Sequence, residues 1–159
     1  SLILYARHGA QLGAKMNILV SACLLGIECR YNQTGEACSA VEALRGKHQL
    51  IPVCPEIYGG LPTPRPPAEI CGGRVVNREG EDVTKQYRRG AEAALRLAQY
   101  FDCTVAILKE RSPSCGYGRI HDGSFAGGMT DGNGVTAQLL SEHGIRILGE
   151  TQMDEIRKL

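Results

Sequence analysis

The stretch from Val83 to Leu108 limits what this chain can fold into more than any other. Val83, Tyr87, Ala91, Ala94, Leu95, Ala98 and Phe101 recur at helical spacing, with Arg88, Arg89 and Arg96 on other faces and Asp82 placed to cap the start. That is the pattern of an amphipathic helix. The helix leads straight into Thr104–Leu108, a short apolar run that reads as a buried strand. Such a β-helix-β crossover joins parallel strands, nearly always with right-handed sense. Apolar runs beginning at Asn17, over residues 49–53 and over Ile145–Leu148 supply partner strands, the last one following a helix over Val135–His143. The expected architecture is α/β, a single three-layer domain with a small, mainly parallel sheet flanked by helices. A short β-hairpin flap is expected over Glu69–Val83, where Gly72-Gly73 and Glu79-Gly80 break the chain.

A chain of 159 residues suffices for one domain with a substantial core. Its 43% apolar and 22% charged content is that of a soluble globular protein. A net charge of +1 gives no general attraction to a phosphate backbone, so large nucleic acid is not an expected partner. No apolar run approaches the roughly 20 residues needed to span a bilayer. In residues 1–15 the apolar patch precedes Arg7-His8, the reverse of a secretory signal. Met16 stands directly before the first strand, so residues 1–15 read as an added N-terminal extension. Residues 16–150 read as the domain and residues 151–159 as a C-terminal tail with room for a short helix.

Seven cysteines form an odd set without the paired spacing of a small secreted domain. A reducing cytoplasm is the expected setting, where cysteines more often bind metal or do chemistry than form disulfides. Cys23, Cys54 and Cys115 each sit just past a strand. If those strands are parallel, the three thiols share the sheet edge where ligands bind in open α/β folds. A soft metal or an iron–sulfur centre is then the first chemistry to consider. Structural zinc is disfavoured, because no short Cys-x2-4-Cys pair is present. Iron–sulfur clusters usually take four thiolates, and three would leave one iron open to act as a Lewis acid. Cys29 follows Cys23 closely enough to serve as a fourth ligand or as a neighbouring redox thiol. Buried bystander is the better reading for Cys38, Cys71 and Cys103.

The motifs Ser21-Ala-Cys-Leu-Leu-Gly26, Cys29-Arg-Tyr31, Val53-Cys-Pro-Glu56, Gly59-Gly-Leu-Pro-Thr-Pro-Arg-Pro-Pro-Ala-Glu69, Gly80-Glu-Asp-Val-Thr84 and Leu108-Lys-Glu-Arg-Ser-Pro-Ser-Cys-Gly116 together resemble the DUF523 family. Its characterised branch is the thiouracil desulfidases, and the resemblance runs from Met16 to about Leu148. It implies a [4Fe-4S] cluster on Cys23, Cys54 and Cys115 with one iron not ligated by protein. It also implies non-redox release of sulfide from a thiolated pyrimidine, with Glu56 assisting proton transfer and Ser112 positioning the substrate. The implied partner is a small thiopyrimidine base, nucleoside or nucleotide. One departure is local: Arg30-Tyr31 runs into Asn32-Gln-Thr-Gly35-Glu36, where family members often continue with Asp-Gly, so the substrate contacts can differ.

The residues themselves leave alternatives open. Glu56 is either a base near the reacting carbon or an N-cap or surface carboxylate. Ser112 and Ser114 either contact substrate or cap the turn around Pro113. Arg65, in a stiff proline loop that can be neither helix nor central strand, suits an anionic or carbonyl-bearing ligand or pairs with Glu69. Tyr31 and Phe125 either stack on a ring or pack in the fold. Lys109, Glu110 and Arg111 read as an ion pair among neighbours. Gly123–Gly128 and Asp131–Gly134 resemble phosphate-cradling loops, which would favour a nucleoside monophosphate. Outside the enzyme class, the alternatives are an electron-transfer or redox-sensing protein with Cys29 completing four ligands, and a structural α/β domain with unrelated thiols.

Overall fold

The computed structural model describes residues 14–159, so nearly all of the proposed extension lies outside the described residues. Four strands, β1 (Asn17–Ser21), β2 (Gln49–Val53), β5 (Val105–Leu108) and β8 (Arg146–Gly149), form one sheet in the order β2-β1-β5-β8. Every neighbouring pair is parallel. Ile18, Val20, Val105, Ile107 and Leu148 cover one face, packed with Val41, Leu44 and Ile156. Leu19, Ala106, Leu108 and Ile147 cover the other, packed with Ala94, Ala98, Ala137 and Leu140. Both faces are therefore dry, which is why these strands are continuous apolar runs rather than alternating ones. Pro52 is accommodated because β2 is an edge strand.

From β1 the chain moves outward to β2 through a 3-10 turn (Ala22–Leu25), helix α1 (Ser39–Glu42) and a second 3-10 turn (Ala43–Gly46). It then crosses back over β1 to β5, by way of helix α2 (Pro55–Tyr58), the antiparallel hairpin β3 (Ala68–Cys71)–β4 (Arg74–Asn77) and helix α3 (Thr84–Tyr100). Strand order thus reverses between β1 and β5. The loops leaving these two strands diverge to opposite sides and open a crevice at the carboxyl edge.

The expected parallel sheet, flanking helices and hairpin are all present, and the differences are local. The segment after the β1 loop is α-helical only over Ser39–Glu42 and tightens to 3-10 geometry beyond it, as helix ends commonly do. Asp82 caps α3 from one position further out, its carboxylate accepting from the Thr84 N–H at 2.9 Å while Val83 takes the N-cap place. The glycine-rich segment contains a second hairpin, β6 (Arg119–His121)–β7 (Met129–Asp131), ahead of α4 (Val135–Glu142). The tail forms α5 (Met153–Arg157). Among the described residues no helix is long and apolar enough to cross a membrane.

Candidate active site

Three strand ends deliver three thiols to one cavity. Cys23 lies in the 3-10 turn leaving β1, Cys54 is the N-cap of α2 directly after β2, and Cys115 closes the turn that follows β5. All three line a cavity of about 390 Å³ at the carboxyl edge of the sheet, and so does Cys29. The loop after β1 folds back to bring Cys29 beside Cys23 and Cys54 in this cavity, and its carbonyl accepts from the Cys54 thiol at 3.7 Å.

The Cys115 turn is held by its serines. Ser112 Oγ accepts from the backbone N–H groups of Ser114 at 3.0 Å and Cys115 at 3.1 Å, while Ser112 itself lines the cavity. Ser114 is fully buried, bonds Thr136 through its hydroxyl at 2.8 Å, and lies outside the cavity lining. The first N–H groups of α4 close on the same turn: Val135 donates to Pro113 O, and Thr136 and Ala137 donate to Ser114 O. These donors are therefore occupied by the protein, and the start of α4 clamps the Cys115 turn instead of cradling a phosphate.

Thiol chemistry at this edge follows from crowding and burial. The neighbouring Cys29 thiol, reinforced by burial, pushes Cys54 far above the ordinary thiol range. Contact with Cys23 and burial also raise Cys29. Burial pushes Cys115 up to about 12. Cys29, Cys54 and Cys115 therefore hold their protons more tightly than exposed thiols, and a cationic metal centre would supply the charge that makes thiolates stable. Among the described residues, no three Cys, His, Asp or Glu side chains converge on a point suited to one metal ion. Three thiols lining one cavity are the soft donor type that iron–sulfur centres take.

Beside the thiols stands a carboxylate with defined partners. Pro55 opens α2 at N1, where its missing N–H costs nothing, and the helix turns Glu56 into the cavity wall. Glu56 Oε1 accepts from Tyr87 Oη at 2.6 Å and from Arg65 Nε at 3.1 Å. Arg65 is buried and largely engaged with protein: it also donates to Pro62 O, Thr63 Oγ1 and Cys29 O. It pairs with Glu56, whereas Glu69 accepts from the N–H groups of Gly123 at 2.9 Å and Phe125 at 3.1 Å. Glu69 thus fills the glycine-rich loop that resembled a phosphate cradle. Sequence reasoning missed Tyr87 as a site residue, because a tyrosine on the apolar face of a helix reads as core.

The cavity lining also includes the exposed Tyr31, Arg78 and Arg111 and the half-buried Phe125 and His121. Arg78 lies over the Phe125 ring at 5.9 Å. Phe125 adopts a left-handed φ of 57°, which the two bonds to Glu69 hold in place. His121 Nδ1 is buried with no hydrogen-bond partner among the described residues. Lys109, also in the wall, pairs with Glu150 at 2.5 Å and Glu36 at 3.0 Å rather than with adjacent Glu110.

A family model described as 2-thiouracil desulfurase matches residues 18–152. This chain belongs to the 2-thiouracil desulfurase family. The uncharacterized protein YbbK of Bacillus subtilis (strain 168) is 44% identical over 149 residues, which cover 87% of this chain and 99% of that relative. Among solved structures, the [4Fe-4S]-dependent thiouracil desulfidase TudS is similar with a TM-score of 0.82 and 46% identity, covering 89% of this chain and 95% of that one. The matched region of the family contains all four cavity cysteines, Glu56, Arg65 and Ser112.

Proposed function

We propose that this chain is an enzyme that replaces the thiocarbonyl sulfur of a thiolated pyrimidine by oxygen, releasing sulfide, with a [4Fe-4S] cluster held by Cys23, Cys54 and Cys115. The observation that carries this reading is the meeting of those thiols with Glu56 and Ser112 in one cavity at the strand switch point. The likeness to a [4Fe-4S]-dependent desulfidase supports the cofactor. When bound, the cluster supplies a thiophilic Lewis acid, one iron without a protein ligand, to the substrate's sulfur.

The chain's own residues do the rest. Glu56 keeps one oxygen on Tyr87 and Arg65, and its second oxygen takes no hydrogen bond among the described residues. That oxygen accepts a proton from water as the water attacks the ring carbon. Ser112 Oγ accepts two backbone N–H bonds, which leaves its own hydroxyl hydrogen to donate toward the ring and orient it. Tyr31 and Phe125 supply stacking faces in the lining. Arg78 and Arg111 make no ion pair among the described residues and place two fixed cations in the exposed part of the cavity lining, which suits a substrate carrying a phosphate. With the glycine-rich loops occupied internally, these side chains are the nucleotide contacts. All seven cysteines are free thiols, which agrees with a reducing cytoplasm.

The test is anaerobic reconstitution with iron and sulfide, then incubation with 2-thiouracil, 4-thiouracil, 4-thiouridine and its 5′-monophosphate, following loss of thiocarbonyl absorbance. Turnover of at least one thiopyrimidine, fastest for the monophosphate, is expected. A cluster-loaded protein that leaves all four unchanged would overturn the proposal.

A further inference from the structure

One wall of the cavity rests on α3, whose buried stripe consists of Tyr87, Gly90, Ala91, Ala94 and Ala98. The stripe carries a single side-chain polar group, the Tyr87 hydroxyl. That hydroxyl is directed at Glu56. A buried phenol costs free energy unless it is hydrogen-bonded, and phenylalanine would fill the same core position without that demand. Tyr87 is only 2% exposed, and its hydroxyl bonds to no other group among the described residues.

The surroundings give the bond a purpose. Glu56 sits on α2, a single four-residue turn that has no independent stability. The turn is seated on α3 by direct backbone contact: a Cβ on Gly59 would collide with the Gln86 carbonyl oxygen, and one on Gly90 with the Pro55 carbonyl oxygen. Tyr87 lies between these two contacts and reaches the side chain that α2 presents. Burial, then the charge of Glu56, push the phenol well above its ordinary range, so it remains a donor.

We infer that Tyr87 is a positioning residue for Glu56: together with Arg65 it holds one carboxylate oxygen so that the other faces the reacting water. This rests on the reading that Glu56 accepts the proton of that water. Because the hydroxyl acts on orientation, its loss lowers the rate of the bound complex more than substrate binding.

The experiment compares the reconstituted wild type, Y87F, E56Q and the double variant on the same thiopyrimidine. Y87F is expected to keep its iron and sulfide content and its thermal midpoint, with kcat reduced on the order of tenfold and KM changed by less than about twofold. On the E56Q background, Y87F is expected to cost nothing further. A second readout needs no turnover: the tyrosine Raman doublet of the full chain, isolated by subtracting Y87F, reports Tyr87 as a strong donor in wild type and a weaker one in E56Q. Wild-type kcat in Y87F, additive losses in the double variant, or an unchanged Raman doublet in E56Q would overturn the assignment. If E56Q is impaired while Y87F is not, Tyr87 alone fails. If E56Q turns over as wild type, the reading of Glu56 fails and takes the Tyr87 assignment with it.

Discussion

Arg65 directs most of its guanidinium at the protein, not at a ligand. It ties Glu56 to the backbone of Cys29 and to its own proline loop. Substituting Arg65→Met leaves Glu56 half-partnered in a half-buried wall and is expected to destabilise the fold by about 1–3 kcal/mol, measured by chemical denaturation. Cys29 lines the cavity beside the proposed ligands. Changing it to serine is expected to leave iron content near wild type, whereas serine at Cys23, Cys54 or Cys115 is expected to lower it several-fold, by iron and sulfide analysis. Equal loss from C29S would assign Cys29 as a ligand. The residue scale was only partly legible in the sequence. Cys54-Pro-Glu56 puts a candidate ligand and an acid within three residues, but nothing local says that Arg65 turns to Glu56 rather than Glu69, or that Ser114 faces Thr136. Those partnerships arise from chain crossings that periodicity does not encode.

At the scale of elements, α2 and α3 act as one piece. Alanine at Gly90 puts a methyl group into the Pro55 carbonyl. G90A is expected to cost about 1–3 kcal/mol in urea unfolding and to lower turnover beyond what the stability loss explains, because α2 must shift and carry Glu56 with it. A fully active G90A would show that the seating of α2 does not matter to the reaction. The long helix α3 was legible because its apolar residues repeat over its whole length, and β1 and β5 because strands buried on both faces must be apolar throughout. The one-turn α2 was marked only by Pro55 at its first position. The hairpin β6–β7 carried no signal of its own, since three-residue strands are too short to show alternation.

At the scale of the molecule, the parallel sheet converts three distant cysteines into one edge, and an ion triad fastens that edge. Lys109 follows β5, Glu150 follows β8, and Glu36 lies in the β1 loop, where its backbone N–H donates to Cys23 O at 2.8 Å. Burial alone would pull Lys109 down, but Glu150 and Glu36 outweigh it and hold the ammonium above its usual 10.5, so its contribution is present below that value and is lost as pH rises through the folded one. Lys109 in turn holds the Glu36 carboxyl below its usual 4.5, so that contribution is present above 4.5 and is lost as pH falls through the folded value. The stability gap between wild type and K109M is therefore expected to be flat from about pH 5 to 10 and to shrink at both ends, read by denaturation across pH. A gap that does not narrow in acid would show that the Glu36 contact contributes nothing. The central claim, a hydrolytic exchange of sulfur for oxygen in this cavity, is tested most directly by running the reconstituted enzyme on a thiopyrimidine in ¹⁸O-labelled water. One labelled oxygen in each product pyrimidine and one sulfide per turnover, with no external reductant, is the expected result. An unlabelled product, or sulfide release that depends on an added electron donor, would contradict it.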